Sequence, residues 1–198
     1  MGTTARQYHH GDLKSALVDA GMAVIEDEGL SALTLRRCAA VAGVSHAAPR
    51  NHFGNLRGLL TAIAVVGFRR FVAALQDATP PGTPPAETLA ELGHAYCAFA
   101  TANPGLFCLM WDANKVDYAD EGLASVTCEA FTLLESAVGK AVTGSPSATM
   151  SPALYHWSLI HGYTMLTLSG HLDWSMFSGA NRYDPLHAPE LALGDRRS

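Results

Sequence analysis

Ser45, His46, Arg50, Asn51 and His52 lie close together in the stretch SHAAPRNH and offer hydroxyl, imidazole, guanidinium and amide groups. Such donors reach phosphate oxygens and the edges of bases. Arginine forks onto guanine O6 and N7 or pairs with a phosphate, and the others add directional hydrogen bonds. Ala47 and Ala48 sit between them, and Thr34, Arg36 and Arg37 lie a short way upstream. These ten positions form a candidate contact set for double-stranded DNA. A small helical domain with no nucleic-acid partner could carry a similar turn, so the elements around it must decide.

Other reactive residue types do not assemble into a site. Glu91 and His94 make an ExxH pair, half of what a di-iron carboxylate bundle needs, and no second ExxH occurs in the chain. GxSxG, P-loop, HExxH and GxGxxG patterns are missing from the sequence. Cys38, Cys97, Cys108 and Cys128 lack CxxC spacing and fall inside apolar helical patterns, so they read as reduced, packed thiols. No cofactor, no metal and no enzymatic activity are expected. Tyr96, Phe99, Phe107, Met110, Trp111, Phe131, Trp157 and His161 form a second candidate set. Pockets for small molecules are mostly apolar with a few polar anchors, and His161 and Tyr163 are the possible anchors here. The same stripes also read as plain core.

The elements that position the first set run from Leu33 to His52. Leu33, Thr34 and Leu35 open a short helix with Thr34 as its cap, and Val41 to Val44 close it. Gly43 can take the positive φ that a sharp turn requires. Ser45 then reads as the cap of a second helix, His46 to His52. Ala39 lets the two helices approach closely, and Leu35 and Val44 are placed to fill the core beneath, as in a helix-turn-helix.

Around this motif, apolar spacing predicts helices throughout. Residues 1–10 read as a flexible arm. An amphipathic helix spans Gly11–Glu28 and ends at Gly29. Asn55 caps a long helix reaching about Asp77, lined by Leu56, Leu59, Leu60, Ile63, Val66, Gly67, Phe71, Ala74 and Leu75. Residues 79–87, TPPGTPPAE, read as a loop. Glu87–Ala102 is helical again, Pro104 starts a short apolar helix, 112–120 is polar loop, and Glu121–Val142 is helical until Gly144, Ser145 and Pro146 stop it. Ser151 and Pro152 begin a helix to about Gly170 that is apolar on most faces, hence buried on two sides. From His171 on, Trp174, Met176, Phe177 and Tyr183 sit among Gly, Asn, Pro and Asp, and a short docked turn followed by a disordered tail from about residue 179 is expected.

At 198 residues, the chain has room for one large domain or a small one fused to a medium one. It is 48% hydrophobic and only 16% charged, a composition suited to closely packed helices. Residues 1–60 carry six Lys or Arg against five acids, and the remainder seven against thirteen. A mildly basic head on an acidic body fits DNA contact by the head alone. No apolar run reaches the roughly 18 residues of a membrane span, and no leader pattern opens the chain, so a cytoplasmic protein without a membrane partner is expected.

With YHHGDLKSALVDAG before it and HFGNLRGLLTAIA after it, the central motif resembles the amino-terminal domain of TetR-family transcriptional regulators over about residues 8–65. Thr34, Arg36, Ala39, Ala42, Gly43, Val44, Ser45, His52, Phe53, Leu59 and Leu60 carry the likeness. Trp157, His161 and Gly162 in HWSLIHGYTML resemble the carboxy-terminal region of the WHG branch. The resemblance implies an all-α fold, with a DNA-binding domain at 1–54 and an effector-binding and dimerisation domain at 55–198, linked by the helix at 55–77. It also implies a homodimer on a near-palindromic operator, repression, and release by a small apolar or aromatic effector. Two carboxy-terminal helices per subunit would form the dimer interface, and Ser158, Gly162, Thr167 and Gly170 are the small residues that fit it. The chain departs from the family at Arg50, where most members have Tyr, and at Leu56, where many have a phosphate-contacting Lys. A metal-binding or enzymatic helical bundle, or an effector-free nucleoid or adaptor protein, are the rival readings.

Overall fold

A computed structural model describes residues 10–141 and 151–170. The amino-terminal arm, the stop at 144–146 and the segment after His171 lie outside the described residues. Within them the chain is all-α: α1 His10–Glu28, α2 Leu35–Val41, α3 Ala48–Phe53, α4 Leu56–Ala78, α5 Pro85–Ala102, α6 Pro104–Met110, α7 Glu121–Ala141 and α8 Pro152–Leu168. A 3-10 turn, Leu30–Ala32, not foreseen from periodicity, follows Gly29, whose N–H bonds to Ile25 O at 3.1 Å.

Two compact units divide the chain. The first comprises residues up to Phe68 together with Gly105–Ser125, and the second Arg69–Pro104 together with the residues from Val126 onward. α1, α2 and α3 pack on one another in the first unit, where Leu17, Val24, Cys38, Leu59, Ile63 and Phe68 are fully buried. α6 belongs to this unit as well, with Phe107, Leu109 and Met110 at zero exposure. Gly67 leaves the space that Leu106 and Met110 occupy.

The loop between α6 and α7 is pinned to the start of α4. Arg57 Nη2 donates to the carbonyl of Val116 at 2.9 Å, and the N–H of Asp117 donates to Thr61 Oγ1 at 2.9 Å. Thr61 in turn donates to Arg57 O, so this buried hydroxyl is satisfied on both sides.

In the second unit α5 packs on α8, and Phe71, Val72 and Leu75 of α4 are buried. α5 starts at Pro85, two residues before the expected Glu87, because proline suits a first helical position, where no N–H is needed. α4 is long and apolar enough to cross a bilayer by composition alone. Its apolar side chains are instead largely buried inside protein, as in a core helix.

Candidate nucleic-acid interface and apolar site

Local hydrogen bonds build the helix-turn-helix. Thr34 Oγ1 accepts from Arg37 N at 3.0 Å, which makes it the cap of α2. Gly43 takes φ +67°, and the chain turns there. The second helix begins later than Ser45 implies. Were Ser45 its cap, the first helical bond would run from the N–H of residue 49 to Ser45 O, and residue 49 is proline, with no N–H to give. Ala48 N bonds to Ser45 O instead at 3.0 Å, closing a tight turn, and the helical ladder starts with Asn51 N to Ala47 O at 3.0 Å. α3 therefore spans Ala48–Phe53 with Ala47 as a cap that makes no side-chain bond.

This start fixes which side chains face outward. His46, Ala47, Arg50 and Asn51 are exposed, as is Ser45, and His52 is half-buried beside Phe53. Ala48 and Pro49 are buried and anchor α3 to the unit beneath. Gly54, at φ +74°, ends the helix, and Asn55 Oδ1 caps α4 by accepting from Gly58 N at 3.0 Å. A Cβ on Gly58 would lie 2.1 Å from Phe53 O, so only glycine lets α4 start this close to α3.

Not every cation here is equally available. Arg36 is exposed and has no ion-pair partner among the described residues. Arg37 is held by Glu28: Nε lies 2.9 and 3.1 Å from the two carboxylate oxygens and Nη2 2.6 Å from one of them. The pairing raises the pKa of an already permanent cation. Arg57, next to the departure at Leu56, is turned to the Val116 carbonyl. Lys14 was not singled out by the sequence reading; its ammonium stands 5.9 Å from the Phe53 ring centroid, an exposed cation beside α3.

The eight residues of the apolar set divide between the units. Phe107, Met110 and Trp111 are in the first, where Trp111 meets Phe68 edge-on at 5.0 Å and Phe107 at 6.1 Å. The other five join in the second unit through Phe71, which periodicity identified only as a buried residue of α4. Rings run from Phe131 to Trp157 (6.0 Å), Trp157 to His161 (6.2 Å), His161 to Tyr96 (6.3 Å), Tyr96 to Phe71 (5.1 Å) and Phe71 to Phe99 (5.3 Å). A polar contact in this run joins Tyr96 OH to His161 Nδ1 at 2.7 Å. Burial holds the His161 imidazole below its ordinary pKa, so it is neutral near pH 7.

Of the four thiols, Cys38 is packed, donates to Leu17 O at 3.1 Å, and is pushed up to about 11 by burial. Cys97 is half-buried beside Thr164. Cys108 and Cys128 are exposed, contrary to the expectation of packed thiols, because each falls on the solvent side of its helix. Glu91 and His94 are 3.9 Å apart on the outside of α5, and no cluster of three metal-ligating side chains occurs among the described residues. On α8, Ser158 is exposed and Gly162 and Thr167 are half-buried, and Gly170, in the turn after the helix, is exposed; the two hydroxyls bond back to carbonyls of their own helix.

A family model described as "Tetracyclin repressor-like, C-terminal domain" matches residues 89–184. A solved structure of a protein of unknown function from Rhodococcus sp. RHA1 is 32% identical, covers 89% of this chain and 90% of its own, and superposes with a TM-score of 0.69. The chain belongs to the TetR family of transcriptional regulators.

A TetR family transcription regulator from Shewanella sp. PV-4 shares the fold at 18% identity, with 83% of this chain and 87% of that one covered and a TM-score of 0.59. So does the fatty acid degradation regulator FadR from Bacillus halodurans, at 19% identity, 96% and 99% coverage and a TM-score of 0.63. No curated protein matches the chain. The all-α architecture expected for a TetR regulator is the one observed.

Proposed function

We propose that this TetR-family regulator binds a near-palindromic DNA operator as a homodimer, represses transcription in the cytoplasm, and lets go when a small apolar or aromatic effector occupies its second unit. DNA contact is assigned to residues 1–54, and effector binding and dimerisation to 55–198. The observation that carries the reading is the outward display of Ser45, His46, Arg50 and Asn51 on the turn and start of α3, with Lys14 and Arg36 exposed in the same unit. Ala48 faces inward and Arg37 is tied to Glu28, so both act by holding the motif in place. Effector control requires only that the effector favour the conformation that does not fit the operator, since equal affinity for both shifts nothing. α4 is the natural carrier of that change, because α6 and the 112–120 loop are fastened to it through Gly67, Arg57 and Thr61.

Selection from random duplexes tests the reading. It should return an inverted repeat with half-sites about one helical turn apart. Recovery of no motif, with only salt-labile general binding, would sink it.

A further inference from the structure

Lys14 lies outside the helix-turn-helix, yet its ammonium stands against that motif. On α1 it comes one turn before Leu17 and Val18, which are buried, so its stem leaves the helix at the edge of the packed face while its charge stays in solvent. The ammonium is 5.9 Å from the centroid of the Phe53 ring, inside the roughly 6 Å over which a ring face attracts a cation. Phe53 is placed by α3 itself: it is the last residue of that helix, half-buried, and follows the buried Pro49 by four positions on the same face.

No carboxylate answers this charge among the described residues. Lys14 makes no ion pair there, and its neighbours three and four positions away along α1, His10, Gly11, Leu17 and Val18, include no acid. Arg37, chelated by Glu28, and Arg57, donating to Val116 O, are committed elsewhere. A ring attracts a cation without neutralising it, so Lys14 is held beside α3 with its charge intact. A helix seated in a major groove about 12 Å wide has a phosphate strand along either side. A cation flanking that helix meets the strand and not the base edges.

We infer that Lys14 contributes a backbone-phosphate contact from α1, and that Phe53 is the positioning residue that holds it in reach. This rests on the reading that α3 enters a DNA operator. Contact with the ring restricts a four-carbon stem before DNA arrives, so less side-chain freedom is lost on binding.

The test uses the full-length protein and the duplex recovered by random selection, with affinity followed from about 50 to 200 mM salt. Lys14→Gln should weaken the best operator and its single-base variants alike, several-fold, and reduce the magnitude of the salt slope by about one for each subunit on the duplex. Lys14→Arg should keep the slope, since it retains the charge and stacks on a ring as well. Phe53→Leu, with circular dichroism checking the fold, should shrink the loss caused by Lys14→Gln in a double-mutant cycle, which a ring that merely fills the core would not do. Should Phe53→Leu not fold, Phe53→Met takes its place in the cycle. An unchanged slope in Lys14→Gln, on an operator that the parent binds, would overturn the inference and leave the operator reading standing. A preference relaxed at one base pair would overturn it too, by making Lys14 a reader of bases, and strict additivity in the cycle would overturn the role given to Phe53. If selection returns no operator, the reading fails and takes the inference with it.

Discussion

Arg50 and Arg37 carry the same charge in different company. Arg37 is chelated by Glu28, so its charge is already answered within the protein. Arg50 is exposed at the start of α3, one position after the buried Pro49 that fixes the local backbone. It is a position at which the chain departs from the pattern of the family it resembles, and Arg57, which follows the apolar Leu56, is occupied by Val116 O. Under the proposed function, Arg50 is the residue expected to supply the phosphate contact that Leu56 cannot. On the selected operator, Arg50→Gln should weaken all sequence variants alike and reduce the magnitude of the salt slope by about one. Arg37→Gln should leave that slope unchanged, because no phosphate pairing is lost. A relaxed preference at one base pair of each half-site in Arg50→Gln would reassign the residue to base reading, with a cost of about 1 to 3 kcal/mol on the best site.

At the scale of helices, local chemistry was legible in the sequence and partnership was not. Thr34, Asn55 and Ser151 each accept the first-turn N–H that their residue types promise, at 3.0, 3.0 and 3.2 Å. Ser45 shows the limit, since a cap is judged together with the residue four positions on, and Pro49 has nothing to donate. Periodicity marked Phe71, Tyr96 and Phe107 as buried without saying that the first two meet and that Phe107 belongs to another unit, because the 3.6-residue repeat gives direction and not neighbour. The same gap affected α8. Small residues drew attention to Ser158 and Gly162, whereas the structure leaves Leu154, Leu159, Met165 and Leu166 exposed on the same stripe, opposite buried Ala153, Ile160 and Thr164. A two-fold axis along that stripe would bury each of these side chains twice per dimer. A large apolar side chain is worth about 1.5 to 3 kcal/mol on burial. Leu159→Glu with Leu166→Lys should accordingly raise the dimer dissociation constant by two orders of magnitude or more, by roughly 1.4 kcal/mol per decade. Sedimentation would show monomer at concentrations where the parent is dimeric, and an unchanged mass would place the interface elsewhere.

The stability of the whole molecule should carry the signature of its buried histidines. His156 and His161 are both held below the ordinary histidine pKa by burial, so the folded state takes up fewer protons than the unfolded chain under mildly acidic conditions. Stability then falls as pH drops. The effect begins near the ordinary value of about 6.5, where the unfolded imidazoles start to protonate, and levels off once pH has passed below the lowered folded values. His156 contributes independently of the Tyr96 pair, because its Nε2 is buried with no hydrogen-bond partner among the described residues. Carboxylates enter later. Asp112, held low mainly by its hydrogen bond with Lys115, loses its contribution only below the usual carboxylate range, so the two windows separate along the pH axis. Melting curves taken in steps from pH 7.5 to pH 5 should show a falling midpoint, and His156→Gln and His161→Gln should each remove part of the slope in that range. A midpoint flat between pH 7 and pH 5 in the parent would mean that these imidazoles titrate in the folded protein as freely as in water, and that the interior of the second unit is wetter than its packing implies.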